Sequence, residues 1–392
     1  MVADTLSVSP GGSGTTLAEY EIHDDSHSQF RVVQRTTLNL SIASISLDDE
    51  RKLPTIKVLG TGGTIALKGS TGSQTAGYKV DLTIEELVAL IPDLTLTANL
   101  EYEQVFNVDS KEINSEELLK LYQKVKEGLK EYDGIVITHG TDTMEETAFF
   151  LQCAINTDKP IVLCGLMRPS TDILSDGPMN LYQAISIASD PSSRGRGVLV
   201  ALNDRIGSGF YITKLNANSL DTFKLAGQGY LGNFVNNEVH YYYPPSKPLG
   251  LVYFDVDPFD APEDVVILYG HQGISNRVIE LILSGLGCLG LVLATMGAGL
   301  MADATNDFIA TLTRKSQIPV VYLKRLMDGM VPTAAIPRHA TNRATGEVFP
   351  YTNAIAGGYL NPQKARILVQ LCLAQNMDIA AIRKVFQQMY GG

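Results

Sequence analysis

The sequence predicts an α/β protein with a doubly wound, mostly parallel sheet in its N-terminal domain and a second, smaller α/β domain. The main observation is a repeated order of short apolar run, polar loop and helical segment, present four or more times. A second observation is the proline-rich stretch at 241–262, which interrupts this order and is typical of a domain boundary. The 392 residues, 45% of them hydrophobic, can bury two such cores.

The elements of the N-terminal domain follow from local patterns. An apolar run at 55–59 predicts a strand that ends in a glycine-rich loop, and a capping pattern predicts a helix from about residue 84. An alternating strand then ends at Val108, and Asn114 is expected to cap the next helix. Further strands and helices alternate from residue 134 to the boundary, at 134–138, 144–155, 160–165, 179–188 and 197–203.

The same alternation continues on a smaller scale after the proline-rich stretch. A strand at 265–270 is followed by a helix from Asn276, and the chain is expected to end in a helical tail from Pro362 to about Met389. We therefore divide the chain into a largely flexible extension, a catalytic α/β domain, a linker and a smaller α/β domain, at residues 1–52, 53–243, 244–262 and 263–392.

Composition excludes several classes of function. A formal charge of -11 and a pI near 5.1 argue against a nucleic-acid or anionic-membrane surface, and favour a soluble protein acting on small molecules. The four cysteines and six histidines show no metal-binding spacing, so we expect buried thiols, no metal and no cofactor. No secretion signal is recognisable, which predicts a cytoplasmic protein. The uncharged stretch 281–302 is interpreted as helix, turn and strand rather than a membrane span.

The loop after residue 59 has the beginning of a dinucleotide-binding fingerprint. Gly60 and Gly62 follow a strand, and Asp81 lies about where a ribose-binding acid would be expected. The third glycine of the fingerprint is replaced by Ile65, and a polar segment follows instead of a helix. This signal for a nucleotide site is weak.

Two threonine-containing loops could instead support nucleophilic catalysis. One contains Thr61 and Thr64, and the other contains Thr141 and Asp142. A threonine hydroxyl needs a base to accept its proton and donors for the oxyanion, and glycine-loop N–H groups can supply the donors. The base could be Tyr78, or a lysine that acts through another hydroxyl.

Each of these residues also has an ordinary structural explanation. Thr64 could form a simple hydroxyl turn, Thr141 or Thr143 could cap a helix, Ser110 could be a turn residue, and His139 could be a satisfied strand-end residue. Spacing alone does not decide between these explanations and catalysis.

Five long motifs carry a resemblance that spacing could not supply. They lie between residue 54 and the C-terminal region and read TGGTIA (61–66), HGTDTMEETAFFL (139–151), MRPSTDILSDGPMNLYQA (167–184), ITKLNANSLDTF (212–223) and GYLNPQKARILVQLCL (358–373). Together they resemble the bacterial-type L-asparaginase and glutaminase family, in detail most closely its yeast cytoplasmic-type members.

The resemblance implies a role for each matching residue. Thr64 would be the nucleophile, Tyr78 the lid tyrosine, and Thr141 a second catalytic threonine that Lys214 contacts. Asp142 would bind the α-ammonium group of the substrate.

Three further positions are implied at the substrate carboxylate and at the subunit boundary. Ser110 and the backbone of Gly63 would bind the α-carboxylate, and Glu347 is the nearest match to a glutamate supplied by a neighbouring subunit. Lys111 departs from the neutral residue common in the family, and a cation there is expected to influence affinity or the preference between asparagine and glutamine.

The function implied is hydrolysis of L-asparagine to L-aspartate and ammonia through a threonine-bound acyl-enzyme, with glutaminase as a side activity. The family also implies a homotetramer built as a dimer of dimers. Two alternatives stay open at this point. One is an amidase subunit of a tRNA-dependent amidotransferase, which the acidic charge disfavours, and the other is a non-catalytic amino-acid sensor on the same fold.

Overall fold

In the computed structural model of the protein, Leu53–Gly392 form one compact unit. The predictions made for residues 1–52, Gly63, Thr64 and Tyr78 lie outside the described residues. The structure describes residues 53–62, 67–68, 79–80, 84–89, 91, 94, 97–168, 175–225, 227–257 and 264–390.

Twelve described strands belong to the N-terminal domain. They are β1 (Thr55–Gly62), β2 (Leu67–Lys68), β3 (Lys79–Val80), β4 (Asn99–Val108), β5 (Gly134–Thr138), β6 (Ile161–Cys164), β7 (Val198–Leu202), β8 (Arg205–Ser208), β9 (Thr213–Lys214), β10 (Phe223–Lys224), β11 (Gly232–Val235) and β12 (Glu238–Tyr241).

Eight of these strands form one sheet in the order β12-β11-β8-β7-β6-β5-β1-β4. The five strands from β7 to β4 are parallel, so the predicted doubly wound, mostly parallel sheet is confirmed. Strands β8, β11 and β12, which were not predicted, extend this sheet in antiparallel pairing. The chain places β4 on one side of β1 and β5 on the other, which makes the β1–β5 boundary the switch point where ligands bind in such sheets.

Four described helices accompany this sheet: α1 (Ile84–Ala89), α2 (Ser115–Glu131), α3 (Met144–Ala154) and α4 (Gly177–Ser189). The predicted cap of α2 is confirmed, because the Asn114 side chain accepts from the Glu116 N–H at 2.8 Å. The Glu117 carboxylate accepts from the Asn114 N–H in return, which completes a capping box. This exchange satisfies backbone donors that the helix itself leaves unpaired.

The C-terminal domain is built on a smaller sheet. Its strands and helices are β13 (Val265–Tyr269), α5 (Asn276–Glu280), β14 (Gly290–Thr295), α6 (Asp303–Thr313), β15 (Val320–Lys324), β16 (His339–Thr341), β17 (Val348–Pro350), β18 (Ala354–Ala356), α7 (Pro362–Ala374) and α8 (Ile379–Tyr390). The order β13-β14-β15-β18 is parallel throughout, and β16 and β17 form a separate hairpin. The fold-class prediction holds for both domains, while the exact boundaries between them stay a prediction.

The predicted single helical tail is wrong in one respect. The tail consists of two helices, α7 and α8, separated by a turn at Asn376, whose φ of 54° lies in the left-handed region. Asparagine tolerates this conformation better than most residues, and it ends α7 before the chain re-enters a helix.

One continuous apolar core joins the two sheets. Buried side chains of β1 and β5 pack through α3 and α7 against buried side chains of β14 and β15. The far face of the first sheet packs on α4, and the far face of the second packs on α5 and α6. Because α7 packs against α3, its first turn lies close to the residues that follow β5.

The expectations for cysteine and for the long uncharged stretch are confirmed. Cys153, Cys164, Cys288 and Cys372 are all buried free thiols. The stretch 281–302 forms a helical turn, the strand β14 and a tight loop. Among the helices that the structure describes, none has the length and apolar character needed to cross a membrane.

Candidate active site

The end of β1 is tied to its two neighbouring strands. The Thr61 hydroxyl, which is buried, donates to the Thr138 carbonyl at the end of β5, at 2.8 Å. Gly62 has a φ of 87°, and a Cβ there would lie 2.6 Å from the backbone nitrogen of Val108 at the end of β4. Only glycine fits this position, so the glycine loop begins where three strand ends meet. The strand continues to Gly62, three residues beyond the predicted end at residue 59.

A threonine, an aspartate and a lysine meet beside this point. The Lys214 ammonium donates to the Thr141 hydroxyl at 2.9 Å and to the Asp142 carboxylate at 2.6 Å. Thr141 is buried, and the Lys214 side chain is 15% exposed, whereas the Asp142 side chain is 62% exposed. Thr141 and Lys214 are therefore largely shielded from solvent, and the Asp142 carboxylate faces solvent where a cationic group of a ligand could reach it.

Ser110 lies on the same edge, in a short 3₁₀ turn that follows β4. Its carbonyl accepts from the Thr143 hydroxyl at 2.8 Å, and Ser110 itself is buried. Thr143 occupies the residue before α3 but makes no capping hydrogen bond with its side chain. The hydroxyls of Thr141 and Thr143 thus connect separate segments of the site and do not serve the helix-cap role that was the alternative for them.

His139 is a structural residue, as its ordinary explanation predicted. It is completely buried, with Nδ1 2.7 Å from the Gly140 carbonyl and Nε2 2.9 Å from the Thr147 hydroxyl. Burial lowers the pKa of the imidazole to about 4, because the charged form would lose its hydration. His139 is therefore neutral near pH 7 and joins β5 to α3.

The first turn of α7 brings residues of the C-terminal domain to this edge, which the sequence analysis missed. The Asn361 amide donates to Glu145 on α3 at 3.1 Å and to the Thr213 hydroxyl at 3.2 Å. The buried Lys364 ammonium donates to the carbonyls of Phe210 and Ile212, at 2.7 and 2.6 Å. A signal existed in the sequence, because a lysine within the apolar pattern of this helix needs buried partners.

Glu347 lies apart from these residues. It precedes β17 and forms a two-pronged ion pair with the Arg314 guanidinium, at 2.9 and 2.6 Å. In the described part of the chain, no hydrogen bond or ion pair connects Glu347 with Thr141, Asp142 or Lys214. The same part contains no group of histidine, cysteine, aspartate and glutamate side chains that could hold a metal ion.

Two family models match this chain, and together they cover most of it. The model described as "Asparaginase, N-terminal" matches residues 55–247, and "Glutaminase/Asparaginase C-terminal domain" matches residues 264–386. The chain belongs to the asparaginase family. The membership agrees with the resemblance carried by the five sequence motifs.

Relatives within the asparaginase family align over nearly their whole length. L-asparaginase 2-3 of Saccharomyces cerevisiae is 48% identical over 357 residues, which cover 90% of this chain and 94% of the yeast protein. L-asparaginase 2 of Bacillus subtilis is 36% identical, with 88% and 90% covered. The crystal structure of a probable cytoplasmic L-asparaginase from Campylobacter jejuni matches with a TM-score of 0.75 at 35% identity, covering 86% of this chain and 99% of that one.

Proposed function

We propose that this protein hydrolyses L-asparagine to L-aspartate and ammonia, with Thr64 as the nucleophile. The observation that carries the proposal is the hydrogen-bonded group of Thr141, Asp142 and Lys214 at the switch point between β1 and β5. Family relatives that are L-asparaginases by name favour this reaction over an amidotransferase subunit or a silent sensor.

Substrate binding follows from the charges of an amino acid. The exposed carboxylate of Asp142 is suited to the α-ammonium, while the hydroxyl of Ser110 and the backbone N–H of Gly63 would bind the α-carboxylate. The side-chain amide of a substrate held at these two ends would reach the segment after Gly62 in this proposal. Thr64 is two residues after Gly62 in the chain.

The chemistry then has two steps. In the first, the Thr64 oxygen bonds to the amide carbon, the carbon–nitrogen bond breaks, and the proton of the hydroxyl leaves with the nitrogen as ammonia. In the second, water attacks the resulting ester, L-aspartate leaves, and a proton returns to Thr64. Tyr78 is the proposed base of the first step, and Thr141, held by Lys214 at 2.9 Å, is the proposed proton carrier of the second.

Ammonia release by the purified full-length protein tests this proposal. L-asparagine is expected to be the best substrate, L-glutamine a poorer one, and D-asparagine the poorest, with L-aspartate formed in equal amount to ammonia. Thr64→Ala is expected to lower kcat by roughly 10⁴-fold or more, since no other hydroxyl replaces the nucleophile. Normal turnover by a folded Thr64→Ala protein would refute the nucleophile, and no ammonia from the unmodified protein would refute the reaction.

The finer expectations about assembly and location also belong here. We propose a cytoplasmic homotetramer built as a dimer of dimers, as the family resemblance implies. A contribution of Glu347 to a neighbouring site stays a prediction, and its pairing with Arg314 means that such a contribution would replace an existing ion pair.

A further inference from the structure

We propose that Asn361 and Lys364, at the start of α7 in the C-terminal domain, are positioning residues that hold Lys214 against Thr141 and Asp142. The inference rests on the proposed function for the chemistry of Lys214. For the placement of Lys214 it rests on hydrogen bonds between the two domains.

Lys364 fixes the backbone that leads to Lys214. Lys364 is 2% exposed, and its ammonium binds the carbonyls of Phe210 and Ile212, which lie four and two residues before Lys214. A buried ammonium without hydrogen bonds is strongly disfavoured, so the backbone position that provides these two carbonyls is favoured over any position that removes them. Burial lowers the pKa of Lys364 to about 8, and the carboxylate of Glu145 opposes that shift.

Asn361 connects the two segments that form the site. Its Oδ1 accepts from the Lys364 N–H at 2.9 Å and so caps α7, which leaves the two donors of Nδ2 for other partners. Those partners are the carboxylate of Glu145, three residues after Asp142, and the hydroxyl of Thr213, directly before Lys214. The Asn361 amide therefore links the first turn of α3 to strand β9.

Strand β9 needs such support. It contains only two residues, and its described strand partner is the equally short β10. A two-stranded hairpin of this length is not stable by itself in water. The position of Lys214 therefore depends on what holds residues 210–213. Within the N-terminal domain the Ser208 hydroxyl accepts from the Phe210 N–H at 3.3 Å, and Asn361 and Lys364 add the hydrogen bonds from the C-terminal domain.

Stability alone does not explain why these side chains are charged. Glu145 is 5% exposed and lies with Lys364 in the apolar core between α3 and α7. Replacing buried charges of opposite sign by well-packed apolar residues is often neutral or stabilising. An apolar side chain at position 364 could not donate to the carbonyls of residues 210 and 212. The charged ammonium therefore contributes these two hydrogen bonds, which an apolar residue could not replace.

The test compares Lys364→Met and Asn361→Ala with a matched control. Lys159→Met is that control, because Lys159 also binds two backbone carbonyls, those of Leu129 and Tyr132, each at 2.7 Å, but precedes β6 at the opposite end of the sheet. At a temperature where every variant is folded, the two α7 variants are expected to lose roughly 10- to 100-fold in kcat on L-asparagine, as a displacement of about 1 Å can cause. Lys159→Met is expected to stay within about twofold, and Lys364→Arg to recover part of the loss because a guanidinium can serve both carbonyls.

A second measurement does not depend on activity. Amine labelling followed by mass spectrometry should modify Lys214 faster in Lys364→Met and Asn361→Ala than in the unmodified protein or Lys159→Met, because Lys214 would leave its two partners. Folded α7 variants with unchanged kcat and unchanged Lys214 labelling would overturn the inference. An unmodified protein that releases no ammonia would instead overturn the proposed function, and the labelling would still decide the positioning role.

Discussion

The carboxyl edges of the two sheets each contain the same kind of threonine-to-carbonyl hydrogen bond, but the loops that follow them differ. At the first edge the Thr61 hydroxyl donates to the Thr138 carbonyl of the adjacent strand, at 2.8 Å. At the second edge the Thr295 hydroxyl donates to the Leu323 carbonyl of the adjacent strand, at 2.6 Å. Both threonines are buried, so each pair of strand ends is fixed in the same way.

The loops beyond these threonines have opposite character. The first edge continues into Thr141, Asp142 and Lys214, whereas the second presents large apolar side chains that are more than half exposed, among them Tyr269, Leu300, Leu326 and Met327. The lysine at the second edge, Lys324, is buried and binds the carbonyls of Tyr359 and Leu360. Loops converge at the carboxyl edge of any parallel sheet. Whether that edge can bind a ligand depends on the side chains that the loops carry.

The largest difference between the edges should come from their lysines. Lys214→Met is expected to lower kcat on L-asparagine by roughly 10²- to 10⁴-fold, the range in which a positioned proton-transfer group contributes. Lys324→Met is expected to lower kcat by less than about tenfold, since Lys324 contacts neither Thr141 nor Asp142 and binds only the backbone that precedes Asn361. Steady-state kinetics give kcat on L-asparagine for both variants. Equal losses of kcat would mean that the contact of Lys214 with Thr141 has no special role in the reaction.

The pH dependence of stability provides a second, smaller distinction. Below pH 6.5 an unfolded chain protonates the imidazole of His139, but the buried imidazole stays neutral until about pH 4. The unfolded state therefore binds more protons in this range, and His139 should reduce the free energy of unfolding by about 3 kcal/mol as pH falls from 6.5 to 4. Urea unfolding of the unmodified protein and of His139→Gln at pH 7, 5.5 and 4 measures the effect. If both proteins lose stability equally as pH falls, the pKa of His139 is not lowered in the folded protein.

The smallest effects are expected at the two threonine-to-carbonyl hydrogen bonds, one at each edge. Thr61→Val and Thr295→Val each leave a buried carbonyl without its donor, so each should lower the free energy of unfolding by about 1–3 kcal/mol. Only Thr61→Val should also lower kcat, because Gly63 and Thr64 lie two and three residues after it in the chain. Denaturation and ammonia release measured on the same samples separate the two results. A loss of kcat in Thr295→Val with no change in Thr61→Val would reverse the assignment of the site to the first edge.

Much of the fold could be predicted from the sequence because local patterns specify it. The runs that became β5, β6 and β7 are short and buried at every position, and the Asn114 capping box lies within four consecutive residues. The antiparallel strands β8, β11 and β12 were missed because each has only four residues and contains no long apolar run. Turns at Asn203 and Asn236 connect them to their neighbours. The break at Asn376 was missed because both flanking segments have helical periodicity.

The site could be predicted only in part, and for a different reason. Motifs identified Thr141, Asp142 and Lys214, although the lysine lies more than 70 positions from the other two. The contact between Asn361 and Thr213 spans 148 positions, and no local pattern relates an asparagine before a helix to a particular threonine. Such contacts depend on how two sheets pack, which periodicity does not encode.

The placement of Lys364 also affects the order of events during protein synthesis. A ribosome makes Ile212 and Lys214 about 150 residues before it makes Lys364, whose ammonium binds the Ile212 carbonyl. At roughly 5–20 residues per second, Lys364 would be made about 8 to 30 seconds after Ile212. The newly made first domain would then lack the hydrogen bonds that hold Lys214 until the second domain has folded against it, so the growing chain would release ammonia more slowly than the finished protein.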